Sequence, residues 1–98
     1  MTVNKNKNGT SVIYAVSGRL DTTSAPELEK IIRTELEGIT ELTFDLSGLD
    51  YISSAGLRIL LTAQKTMNAQ GSMKVKGVNE IVAEIFDVTG FSDILTIE

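Results

Sequence analysis

The chain has no cysteine, no histidine and no tryptophan, and only one proline. Each absence closes a class of chemistry. Without Cys there is no disulfide framework, thiolate nucleophile or dithiol redox motif. Without His the common zinc sites and imidazole bases are gone, and with them a Ser-His-Asp hydrolase and histidine phosphotransfer. Positive charge is scarce as well: nine Lys and Arg stand against thirteen Asp and Glu, a formal net charge of -4. A general nucleic-acid binder carries a basic face, so no nucleic-acid partner is expected. Long apolar runs are also missing. Residues 57–63 are interrupted by Arg58 and fall far short of the ~20 residues a membrane span needs. Residues 1–9 are polar, with no apolar secretory core, so neither a span nor a leader is expected and the cytoplasm is the expected location.

What is present suits one small domain, residues 1–98. The length falls at the common size of a single domain, and 42% of positions are hydrophobic, enough for a packed core without staples. Residues 2–7 alternate weakly as an edge strand, and Asn8-Gly9 signals a turn. Residues 11–17 carry Val12, Ile13, Tyr14, Ala15 and Val16, a run suited to a buried strand that Gly18 closes. Over residues 22–37, Ala25, Leu28, Ile31, Ile32 and Leu36 recur at helical spacing. Thr23 or Ser24 serves as cap, Pro26 sits near the start and Gly38 follows the end. Residues 41–46 form a second strand through Leu42, Phe44 and Leu46, and residues 47–52 a short connection. A helix over 55–70 turns Leu57, Leu60, Leu61, Ala63, Gln64 and Met67 inward, and Gly71 ends it. A strand over 73–76 follows. Asn79 then caps a third helix bearing Ile81, Val82, Ile85 and Phe86, which Gly90 ends before an apolar tail over 91–98. Strands alternating with helices predict an α/β fold: a four- or five-stranded mixed sheet packed with three to four helices, parallel except for the opening hairpin.

The most informative segment is Asp45-Leu46-Ser47-Gly48-Leu49-Asp50-Tyr51-Ile52-Ser53-Ser54-Ala55-Gly56-Leu57-Arg58. A strand runs into a polar loop and two serines precede a helix, at the end of the sheet where α/β folds bind their ligands. A hydroxyl there has two uses. The plainer is N-capping, with Ser53 or Ser54 accepting from a free backbone N–H for about 1 kcal/mol. The other is phosphorylation, since a phosphate of about -1.5 to -2 charges would face the positive end of the helix dipole and exposed amides. Gly56 would keep the first turn open to a partner's backbone or a phosphate. On composition and periodicity alone the cap is the better reading.

Three separated motifs alter that balance: Gly18-Arg19-Leu20-Asp21 with Ser24-Ala25-Pro26-Glu27-Leu28, the segment 45–57, and Ile85-Phe86-Asp87-Val88-Thr89-Gly90-Phe91. In this order, over essentially the whole chain, they resemble a STAS domain, and more narrowly the bacterial anti-sigma-factor antagonists. The resemblance implies a partner-switching module. In that family the unphosphorylated antagonist binds an anti-sigma factor that is itself a serine kinase, and so frees the sigma factor. Phosphorylation of one serine releases the complex, and a metal-dependent serine phosphatase resets it. The family acceptor follows an Asp and precedes Ser or Thr and then Gly. Aligned on Gly56 and Leu57 it falls on Ser54, with Ser53 in the Asp position and Ala55 in the Ser/Thr position, two departures that leave Ser53 as the second choice.

The resemblance also implies partner contacts at Asp21, Ser53, Gly56, Leu57 and Arg58. Asp21 either contacts the partner, orients the hydroxyl, or is a loop Asp capping the helix that begins near Ser24. Arg58, one turn beyond Ser54, either screens the phosphate or lies on a solvated helix face. Asp45 and Asp50 flank the loop, where one of them can hold its shape by accepting backbone N–H groups. They are not a catalytic pair, because no partner base accompanies them. Glu27, Glu29, Glu35, Glu37 and Glu41 read as a solvated face. A monomer with no cofactor, no metal and no enzymatic activity is expected. The alternative is a STAS scaffold or binding subunit, in a stress-sensing assembly or lipid-transport complex, that phosphorylation does not regulate.

Overall fold

A computed structural model describes all 98 residues. Strand β1 (Thr2–Asn8) turns at Gly9 into β2 (Ser11–Leu20), its antiparallel partner. Helix α1 (Ala25–Glu35) then returns the chain to β3 (Glu41–Ile52), parallel to β2, and α2 (Ser54–Gln70) returns it to β4 (Ser72–Lys76), parallel to β3. Helix α3 (Glu80–Thr89) and a 3-10 turn (Phe91–Asp93) finish the chain. The sheet has four strands in the order β1-β2-β3-β4. The apolar tail adds only a bridge from Ile97 to Val75, not a fifth strand.

The strands are buried on one face, not on both as apolar runs had suggested. Val12, Tyr14 and Val16 of β2, Leu42, Phe44 and Leu46 of β3, and Met73 and Val75 of β4 point into a single core. Ile13, Ala15, Thr43 and Asp45, on the alternate positions, are only half-buried, and Lys74 and Lys76 are exposed. Period-2 alternation fixes this: one register slip would turn Phe44 outward. Leu28 and Ile32 of α1, Leu57, Leu60, Ala63 and Met67 of α2, and Val82 and Phe86 of α3 cover the buried face. Each fully buried large side chain contributes roughly 1.5–3 kcal/mol relative to exposure. The partial inward turn of Leu61 and the exposure of Ile81 are departures from helical periodicity: Leu61 is half-buried and Ile81 is 59% exposed.

Two boundaries differ from the sequence reading and both concern the site. Strand β2 runs past Gly18 to Leu20, and β3 runs past Leu46 to Ile52, so 47–52 is strand and not a connection. The pairing survives its polar residues through two register shifts, between Ala15 and Ser17 and between Gly18 and Arg19, which realign Arg19 with Tyr51 and Leu20 with Ile52. Bulges of this kind bend a sheet near its rim and re-aim side chains. Helix α1 is also shorter than expected. Residues 21–24 form turns, Ser24 is the N-cap and Leu36 the C-cap.

Glu35 does not lie on a purely solvated face. It accepts from Lys5 Nζ at 2.7 Å and from the Tyr14 hydroxyl at 3.0 Å, tying the end of α1 to β1 and β2. Burial, and then the neighbouring Glu35 carboxylate, push the Tyr14 phenol well above its ordinary pKa. The Lys5 contact, with the Tyr14 hydroxyl in support, holds the Glu35 carboxyl below the usual range against the opposing effect of burial. Gly71 ends α2 with extended backbone, and any Cβ there would strike the Thr40 carbonyl.

Candidate functional site

The long strands set the geometry. Because β2 and β3 end together at Leu20 and Ile52, the segments that follow them lie side by side. The Ser53 N–H donates to the Leu20 carbonyl at 2.9 Å, which fixes the start of α2 against the end of β2. Asp21 and Ser53 each follow directly on those strand ends, so the structure brings them to the same rim of the sheet.

The Asp21 side is densely bonded. Its carboxylate accepts from the Thr23 N–H at 3.0 Å and the Ser24 N–H at 3.2 Å. The Ser24 hydroxyl donates to the Arg19 carbonyl at 2.7 Å and accepts from the Asp21 N–H at 3.0 Å. Asp21 is thus the loop carboxylate that shapes the start of α1, one of the roles open to it from sequence. The Ser24 amide chiefly, then the Thr23 amide, the Ser24 hydroxyl and Arg19, hold its carboxyl below the usual Asp range against some desolvation. Arg19 completes the rim, its guanidinium 4.5 Å from the centre of the Tyr51 ring and 3.7 Å from Asp21 Oδ2.

The Ser53 side is bare. Ser53 occupies the N-cap position in an extended conformation, yet its hydroxyl is buried and bonds to nothing. The first turn of α2 has no acidic residue and no side-chain cap. Its amides and the positive end of the dipole are therefore uncompensated by side chains. Neither serine acts as the cap expected of one of them. Ser54 is the first helical residue and its side chain is exposed.

Gly56 requires a correction. It is buried, and a Cβ there would lie 2.7 Å from Ile52 Cγ1 and 2.7 Å from Leu20 Cγ. The glycine lets α2 press onto the ends of β2 and β3; it does not open the turn to a partner. Leu57, the next residue, is 5% exposed but still reaches the surface beside Ser54. There Ser54, Leu57, Arg58 and Leu61 meet Thr89 and Phe91 around a shallow, almost wholly apolar depression of about 310 Å³. Arg58 is exposed, forms no ion pair, and stands between this depression and a smaller one shared with Thr22, Ala25 and Glu29 of the α1 end.

Asp45 and Asp50 lie apart from this site. Asp45 accepts from the Ser47 hydroxyl at 2.8 Å and the Ser47 N–H at 3.0 Å, bonds that lower its pKa, and it shapes the middle of β3. Asp50 is exposed on the same strand. Sequence reasoning gave no role to Arg19, Tyr51, Thr89 or Phe91. The first two become neighbours only once β3 extends to Ile52. The last two reach Ser54 through the return of α3, which no local pattern signals.

An exposed serine at an uncapped helix start, with a carboxylate loop beside it, makes this rim of the mixed sheet the candidate site. The profile of the STAS domain matches residues 2–98, and the chain belongs to the STAS domain family. The anti-sigma-B factor antagonist of Bacillus subtilis is 31% identical over 97 residues, covering 97% of this chain and 88% of that protein. Among solved structures, an anti-sigma factor antagonist from Mycobacterium paratuberculosis superposes with a TM-score of 0.87 at 23% identity, over 98% of this chain and 83% of that one. The phosphorylated form of the Bacillus cell fate determinant SpoIIAA superposes with a TM-score of 0.78 at 15% identity, over 99% and 91%.

Proposed function

We propose that this chain, read as one STAS domain, is an anti-sigma-factor antagonist switched by phosphorylation of Ser54. Unmodified, it binds an anti-sigma factor that is a serine kinase, and so frees the sigma factor. The kinase transfers the γ-phosphoryl group of ATP to Ser54 Oγ; ADP leaves, and the hydroxyl proton passes to the kinase's base. The phosphorylated antagonist dissociates, and a metal-dependent serine phosphatase hydrolyses the ester. The chain acts in the cytoplasm as a monomeric substrate and ligand, without catalysis or a cofactor of its own.

One observation carries this reading: the two adjacent serines differ in access. Ser54 is exposed at the first position of α2, whereas the Ser53 hydroxyl is buried. A kinase active site reaches only the first. A phosphate on Ser54 touches no core residue and sits at the positive end of α2, so the fold is retained while charge and bulk change at the binding face. The names of the similar proteins support the antagonist role. Incubation with the cognate kinase and ATP, followed by peptide mass spectrometry, tests it: phosphate is expected on Ser54 and is expected to vanish in Ser54→Ala. No incorporation, or phosphate confined to residues other than 53 and 54, would favour the unregulated scaffold.

A further inference from the structure

A second surface stands outside the switch. On α3, Val82 and Phe86 face the core, while Ile81 is 59% and Val88 76% exposed and Ile85 is half-buried between them. Positions 81, 85 and 88 follow one another at helical spacing, so these three side chains form a continuous apolar flank. Single exposed apolar residues need no explanation, but an ordered stripe across a whole helix does. Glu80, Glu84 and Asp87, all exposed, run along the outer edge of this flank, and α3 contains no Lys or Arg.

The charge is segregated along the chain. From position 77 to 98 there are five acidic residues and no basic one, which leaves eight acids against nine bases in residues 1–76. The overall negative charge of the protein is thus concentrated on the segment that bears the apolar flank. An anionic membrane would be repelled by that edge. A second copy of the chain would bring the same acids together. The geometry points to a docking surface for a cationic amphipathic helix of a partner protein, its apolar residues laid along Ile81, Ile85 and Val88 and its Lys or Arg residues against Glu80, Glu84 and Asp87. Binding here is separate from Ser54 and independent of its phosphorylation.

Titration of the 15N-labelled protein with a peptide of about 18 residues, composed only of Leu and Lys in amphipathic order, tests this directly. Saturable shifts are expected along α3 at Ile81, Ile85 and Val88, with an affinity unchanged in Ser54→Asp. The affinity is expected to fall at least about tenfold in Val88→Asp and in the Glu84→Lys, Asp87→Lys double variant. It should also weaken as salt rises from about 50 to 300 mM. The matching Leu/Glu peptide is expected not to bind. Shifts spread equally over α1, equal binding of the Leu/Glu peptide, or no saturation would overturn the proposal. So would self-association in sedimentation that Val88→Asp abolishes, since a second copy would then own the face. Phosphorylation of Ser54 in the same samples reports on the switch separately, so either reading can fail without the other.

Discussion

Helices α1 and α2 begin side by side at one rim of the sheet, each just after a strand, and they begin differently. The start of α1 is closed by its own side chains. Asp21 takes two backbone amides, and Ser24 bonds both the Arg19 carbonyl and the Asp21 amide. At the start of α2 a serine stands at the same N-cap position with its hydroxyl unbonded, and the next serine faces solvent. Helix α3 alone has a true side-chain cap, Asn79 accepting from the Val82 amide at 2.9 Å, whereas Ser24 ties the loop before α1 and caps no amide of its first turn. A cap contributes about 1 kcal/mol, so its absence at α2, where no bonded loop side chains take its place, is a measurable loss of stability. The omission leaves a helix end able to receive charge. The Asp21 loop holds one helix start through its side chains, and the uncapped start of α2 carries the exposed serine proposed as the site of modification.

The largest expected effect lies on the untied side. Ser54→Asp should weaken binding to the proposed kinase partner about a hundredfold, roughly 2.7 kcal/mol, by bringing charge to a fitted surface. Its thermal transition should stay within a degree or two of the wild type, because no core contact changes. Titration calorimetry beside a melting curve measures both quantities; a fall in stability equal to the fall in affinity would mean that binding face and fold are not separable at α2. Next comes Gly56→Ala. Helix propensity favours alanine by up to about 1 kcal/mol. Against this, the new methyl meets Leu20 and Ile52, which are 0% and 1% exposed and have no room to yield. Overpacking of this kind costs roughly 1–3 kcal/mol, so the variant should be less stable on balance, as chemical denaturation would show.

The tied side should respond less strongly but in a diagnostic way. Ser24→Ala removes a bonded hydroxyl and should cost about 1 kcal/mol in the same denaturation assay. Asp21→Asn should act through pH. The folded-state pKa of Asp21 is lowered, so its contribution is complete above the ordinary Asp range and is lost as pH falls through the depressed value. Wild type should therefore lose more thermal stability than Asp21→Asn between about pH 5 and pH 2. Glu35 and Asp45 are also lowered and titrate in both proteins, so only the difference between the curves reports on the loop. Identical curves would place the loop's stability elsewhere.

Most of this fold is legible in the sequence because its signals are local and periodic. Leu28 and Ile32 at helical spacing, and Leu42, Phe44 and Leu46 at alternate positions, state their element and their buried face. The rim is harder to read. Ser47, Gly48 and Asp50 look like a loop, and only pairing with β2, through shifts of register, makes them strand. From that misplaced end follow the missed meeting of Arg19 with Tyr51 and the misread glycine. Gly56 announces a close approach, but whether to a partner or to the core depends on where Leu20 and Ile52 end. The proposed acceptor position follows from the order of three motifs. The difference in access between Ser53 and Ser54 is not, since adjacent serines are identical in composition and are separated only by which of them the helix start turns inward.

The smallest expected effect makes the strictest test of the two helix starts. In Ser53→Ala two general tendencies oppose each other. Replacing an N-cap serine by alanine ordinarily costs about 1 kcal/mol, because a first-turn amide loses its acceptor. Removing a buried hydroxyl that has no partner relieves a desolvation cost of similar size. Here the first is absent, since no amide donates to the Ser53 hydroxyl, and the second is present. The substitution should therefore be neutral or stabilising by up to about 1 kcal/mol, opposite in sign to Ser24→Ala at the neighbouring helix. Phosphate incorporation at Ser54 should be unaffected. If Ser53→Ala instead cost as much as Ser24→Ala, the hydroxyl would be capping α2 in solution, both helix starts would be tied, and the openness assigned to the Ser54 side would have no physical basis.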